Sequence, residues 1–98
     1  MNALPQVGKR LLIGLTYVNQ EGDVEDQIQL YGDILRVSGH TVEFERADGG
    51  GSFTIPFDGT LEKADPKAIY TLRTSGEEVT SVSYVATYAI HRSGNADQ

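Results

Sequence analysis

The stretch from Val24 to Phe57, VEDQIQLYGDILRVSGHTVEFERADGGGSFTIPF, alternates apolar and polar residues, breaks at turn residues, and alternates again. Successive side chains of a strand point to opposite faces, so period-two alternation means half-buried antiparallel strands. A chain of 98 residues makes one domain and not two. A chain of that size hides only about 60–65% of the surface its unfolded form exposes. The expectation is a small, mainly β domain: an antiparallel, strongly bent barrel of five to six strands with at most one short helical turn.

The strands can be placed by their faces. In Lys9 to Val18, Leu11, Ile13, Leu15 and Tyr17 share one side, and Leu12, Gly14, Thr16 and Val18 share the other. Both sides are largely apolar, which predicts a central strand, with Gly14 open to close approach by another backbone. Asn19 to Asp23 reads as a hairpin loop. Val24 to Val37 follows as a long strand, with Val24, Ile28, Leu30 and Ile34 inward and Glu25, Gln27, Gln29, Tyr31 and Asp33 outward. Its alternation slips where Ile34 and Leu35 are both apolar, which predicts a bulge or bend near Gly32. Thr41 to Arg46 and Ser52 to Phe57 are the next strands, joined at Asp48-Gly49, and Pro56 assigns the latter to an edge. Asp58 to Lys67 reads as a loop with one helical turn around Thr60 to Lys63, and Leu61 as a plug for the barrel. Ile69 to Arg73 and Val79 to His91 are the last strands. The expected domain runs over 9–92, with loose ends at 1–8 and 93–98 that show little periodicity.

The chain carries 14 acidic side chains against 8 basic ones, a formal net charge of −6. An acidic surface repels phosphate and anionic lipid, which counts against nucleic acid and membrane surfaces as partners. Cysteine is absent, so no disulfide, thiolate nucleophile or Cys metal site exists. No signal-peptide pattern opens the chain, and no apolar run approaches the ~20 residues of a membrane helix. The expected location is the cytoplasm.

No residue pattern specifies catalysis. His40 in a turn and His91 at a strand end have no motif spacing for metal or acid–base work. Ser52, His40 and Asp48 offer the residue types of a hydrolytic triad without its motif. Glu21, Asp23, Glu25 and Asp26 supply oxygens around Gly22, but not in the order of a calcium loop, so a solvated hairpin tip is the better account. ADGGGS precedes a strand and not a helix, so it reads as a hairpin turn and not a phosphate cradle. The expectation is therefore no enzyme, no cofactor and no metal. Tyr31 remains, on the outward face with Gln27 and Gln29. An aromatic among glutamines there is a candidate partner anchor; the plainer accounts are a single surface aromatic or one covered by the C-terminal strand.

From Arg10 to Lys63, the long kinked second strand around YGDILRVSG and the short hairpins after it resemble the bent barrel of SH3-like and Sm-like domains. The chain is also similar to small bacterial proteins with no assigned role. An Sm-like resemblance implies RNA binding and ring assembly, but the Asp and Asn loop motifs with a basic partner have no counterpart here. The first expectation is a non-enzymatic domain acting through protein contact, by a partner or self-association, at Gln27, Gln29 and Tyr31. The alternatives are an Sm-like RNA-binding module and a small-ligand or enzyme site at a subunit interface.

Overall fold

The computed structural model describes residues 2–73 and 75–91. Among them the chain forms nine strands and no helix: β1 (Asn2–Ala3), β2 (Arg10–Val18), β3 (Val24–Val37), β4 (Thr41–Arg46), β5 (Ser52–Pro56), β6 (Leu61–Lys63), β7 (Tyr70–Thr71), β8 (Glu78–Val79) and β9 (Val82–His91). Seven of them make one strongly curled, half-barrel sheet in the order β1-β6-β9-β2-β3-β4-β5, and β7 and β8 form a separate two-stranded hairpin.

The mainly β, bent-barrel expectation holds, with three corrections. The sheet has seven strands where five or six were expected. It is not wholly antiparallel, because β9 runs parallel to β2 from Val82 beside Arg10 to His91 beside Val18. The helical turn expected around Thr60 to Lys63 is strand β6, which pairs with β1 and β9. Leu61 has the inward role assigned to it and is buried in the main core. The strand expected at Ile69 to Arg73 is only Tyr70–Thr71, paired with Glu78–Val79, and the one expected at Val79 to His91 is broken before Val82, where the chain re-enters the sheet through Ser81, whose φ is 59°.

β2 is central, as its two apolar faces require. Leu11, Ile13 and Leu15 face the concave core with Leu30, Ile34, Val42, Phe44, Ile55, Leu61 and Tyr84. Leu12 faces the opposite way and packs with Leu72, Val79 and Val82 beneath the β7–β8 hairpin. Among the described residues there are therefore two apolar clusters, one on each side of a single strand. Val24, expected inward, is 58% exposed. It lies past a register shift at Tyr17/Val18, where Glu25 is the extra residue of β3.

The N-terminal segment does not trail free from Asn2 onward. Asn2 and Ala3 pair with Glu62 and Leu61, Pro5 is buried, and the Leu4 carbonyl accepts the Tyr84 hydroxyl at 3.2 Å. Nothing periodic marks this segment, because two residues are too few to show a period. The expected loose tail at 93–98 lies outside the described residues.

The close backbone approach expected at Gly14 is at Gly32 instead. A methyl group on Gly14 would meet only the Thr87 methyl, at 3.9 Å, whereas one on Gly32 would lie 1.6 Å from the Glu45 carbonyl oxygen. The slip seen in the sequence is a bulge at Leu35, between the pairs Ile34–Phe44 and Arg36–Glu43. Gly32 lets β4 press against β3, and the bulge turns β3 around the core. Gly32→Ala should destabilise the fold by about 2–4 kcal/mol in denaturant unfolding, since β4 must move bodily. Gly14→Ala should be neutral or add up to about 1 kcal/mol by lowering unfolded-chain entropy.

Candidate functional site

The three residues singled out in the sequence lie together on the convex face of β3, and the chain's own β7–β8 hairpin lies over them. Tyr31 is half-buried against the Leu12–Leu72–Val79–Val82 cluster. Its hydroxyl donates to the Glu77 carboxylate, and the Arg10 guanidinium lies 5.4 Å from its ring centroid. The Gln29 side-chain oxygen accepts the Arg73 N–H at 2.7 Å, and the Gln27 side-chain oxygen accepts from the Arg73 guanidinium at 3.4 Å. The row that alternation marks as outward is thus a seat for Leu72, Arg73 and Glu77. The covering element is this hairpin and not the final strand.

Arg10 ties the arrangement to β2. Its Nη1 donates to the Thr80 carbonyl at 2.8 Å, and its Nε lies 3.8 Å from Asp33. Sequence reasoning missed Arg10, Arg73 and Glu77, because their partners are 21 or more positions away along the chain. No local spacing signals such pairs.

Beside this seat one margin of β3 lies open. β2 pairs with β3 from Val24 to Asp33, but β4 pairs with it only from Gly32 to Val37. The direction of the backbone groups follows from two bonds. The Ile34 N–H donates to the Lys9 carbonyl at 2.9 Å, so even-numbered positions turn toward β2. The Ala47 N–H donates to the Tyr31 carbonyl at 2.9 Å, so odd-numbered positions turn to the β4 side. Gln27 and Gln29 therefore aim their backbone N–H and C=O groups where no strand of the described residues lies. The Gln27 N–H is met there only by its neighbour's Asp26 side chain, at 2.9 Å.

This margin is the floor of a cleft of about 410 Å³, walled by Arg46 and Asp48 on one side and by Leu72, Ser75 and Glu77 on the other. Arg46 and Asp48 form a two-pronged pair, Nη2–Oδ2 at 2.6 Å and Nε–Oδ1 at 3.0 Å. That pairing lowers the Asp48 pKa, aided by the Gly50 N–H that Asp48 accepts at 2.9 Å. The same bonds shape the ADGGGS turn, with Gly49 and Gly51 at φ 83° and 90°. A hairpin turn is what this sequence builds.

The other candidate residues are not gathered into a site. His40 immediately precedes β4, whereas Asp48 lies past its far end and Ser52 pairs with Glu45 near that end, so most of the length of β4, about 15 Å or more, separates them. Glu21, Asp23, Glu25 and Asp26 are exposed around a turn held by Asn19, whose Oδ1 accepts the Glu21 and Asp23 N–H groups at 3.0 and 2.9 Å. Among the described residues no group of three or more His, Asp or Glu side chains is placed to hold a metal. A second, more open hollow of about 510 Å³ follows the seam where Pro56 and Phe57 approach β9, bridged by the Tyr88 hydroxyl donating to the Pro56 carbonyl at 2.6 Å. Burial, with Asp58 nearby, raises the Tyr88 pKa. Among the described residues no helix is long and apolar enough to cross a membrane.

No protein-family model, curated protein or solved structure matches the chain.

The bond to Glu77, followed by burial and the Glu77 charge, raises the Tyr31 pKa above 10.0, with Arg10 acting the other way. The folded chain thus holds the phenol proton more tightly than the unfolded chain does. The stabilisation is complete below pH 10 and is lost as pH rises through the raised value. Tyr31→Phe should remove this alkaline limb. At neutral pH it should also speed exchange of the Leu72 amide, which bonds to Glu77, by about five- to tenfold, one hydrogen bond's worth of local opening.

Proposed function

We propose that this protein is a non-catalytic, cytoplasmic contact module that takes up an extended strand at the open margin of β3. One observation carries the reading: Gln27 and Gln29 turn backbone donors and acceptors that no strand of the described residues pairs into a walled cleft, on a strand already held by β2 on its other side. An unpaired edge is a template for strand addition, and a rigid neighbour lowers the entropy lost when the added strand docks. The other free margins are poorer templates. β1 has two residues, β5 ends at Pro56, whose carbonyl is taken by Tyr88, and β9 beyond its short pairing with β6 is approached by Pro56 and Phe57.

Charge favours a protein partner over nucleic acid. Arg10, Arg36 and Arg46 each lie within 4 Å of a carboxylate, at 3.8, 3.8 and 2.6 Å. Phosphates would have to compete with these carboxylates in a chain of net charge −6. In this reading Gln27 and Gln29 act through their main chain, while their side chains and Tyr31 hold the hairpin that walls the cleft.

Gln27→Pro tests the proposal. It deletes the outward N–H and, lying on an open strand margin, leaves the bonds to β2 in place. The variant should keep the wild-type circular dichroism. Extended peptides selected from a displayed random library against the wild type should bind it at least about tenfold more weakly, from two lost or strained backbone bonds. Selected peptides that bind both forms equally would remove the reading.

A further inference from the structure

We infer that the strand taken up at β3 is a short segment of another protein bearing lysine or arginine. This rests on the strand-addition reading and goes on to the chemistry of the occupant.

The length follows from the two ends of the cleft. At one end Ala47 already holds the Tyr31 carbonyl, so an added strand stops before Tyr31. At the other, the register shift at Glu25 breaks the regular edge. Gln27 and Gln29 lie between, enough for two hydrogen-bonded pairs and about five residues of added strand.

The sign of charge follows from the walls. Asp26, Asp48 and Glu77 line the cleft, against Arg46 as its cation. Asp48 neutralises that cation through both carboxylate oxygens. Asp26 and Glu77 then remain, on opposite faces of β3, against the Arg73 guanidinium held 3.4 Å from the Gln27 side-chain oxygen, which leaves the edge net negative. Side chains of an added strand alternate between those faces, so successive residues of the segment reach the two carboxylates in turn. A second copy fits less well, since it carries the same net charge of −6 and would set its own acidic β3 against this one.

The test uses the full chain and fluorescence anisotropy with two labelled probes, Lys-Val-Thr-Lys-Val and Glu-Val-Thr-Glu-Val, whose two charged residues fall on opposite faces of an added strand. The lysine probe should bind about tenfold or more tightly than the glutamate probe, and the margin should shrink with added salt. Asp26→Lys should narrow or invert the preference. Asp26→Asn, which keeps the Oδ1 that meets the Gln27 N–H, should narrow it by a smaller factor. If both probes bind equally and Gln27→Pro abolishes both, strand addition stands and the basic segment is refuted. A wild-type dimer in sedimentation that Gln27→Pro dissolves and the lysine probe cannot displace also refutes it, in favour of a second copy. If neither probe binds and Gln27→Pro changes no association, both readings fall.

Discussion

A single strand that is apolar on both faces sets the terms for this protein. β2 puts Leu11, Ile13 and Leu15 on one side and Leu12 on the other, all at 7% exposure or less. A strand with two greasy sides is stable only when both are covered, at about 25 cal/mol for each Å² of apolar surface removed from water. The curled sheet covers the concave side. It cannot also reach the convex side, so the chain spends residues 64–81 bringing a hairpin around the back. The parallel β2–β9 pair belongs to the same solution, because the chain returns from that hairpin at the end where β2 begins.

The candidate site is a by-product of that covering. The hairpin rests on β3 through polar contacts, Gln29 to Arg73 and Tyr31 to Glu77, and its own apolar residues reach Leu12. On the other flank, β3 outruns β4 because β4 ends after six residues at the Asp48–Gly49 turn, having paired only with Gly32 to Val37. Between the hairpin and the end of β4 a length of β3 is left with one side unpaired. A wall on each flank sets this length of edge inside a cleft and shields what would otherwise be an aggregation-prone edge.

Much of this was legible in the residues. The bounds of β3 and β4 follow from alternation, and the turn at Asp48-Gly49 follows from residue chemistry. The central place of β2 follows from its two apolar faces. The slip at Ile34-Leu35 announces a bulge, although the glycine beside it misdirects the eye: Gly32 serves the close approach of β4, not the extra residue. β6 and β1 were illegible because three and two residues carry no period, and the helical reading of Thr60 to Lys63 had only local preference behind it. Tyr31 was picked out as an exposed partner anchor, and it lies half-buried beneath the hairpin. What covers it is set by Glu77 and Arg73, which are 46 and 44 positions from Tyr31 and Gln29, and no local rule connects such distances.

The sequence by itself determined a mainly β chain, the course of its long middle strands, an acidic and cysteine-free surface, and the outward row Gln27, Gln29 and Tyr31. Each of these is written in near neighbours, as period, turn preference or composition. The tertiary structure alone decided that β9 lies parallel to β2, that the outward row seats a hairpin, and that β3 keeps one margin open. Those facts concern which distant segments come to lie side by side. That is settled by covering both faces of one strand at once, a condition on the whole chain that no window of it contains.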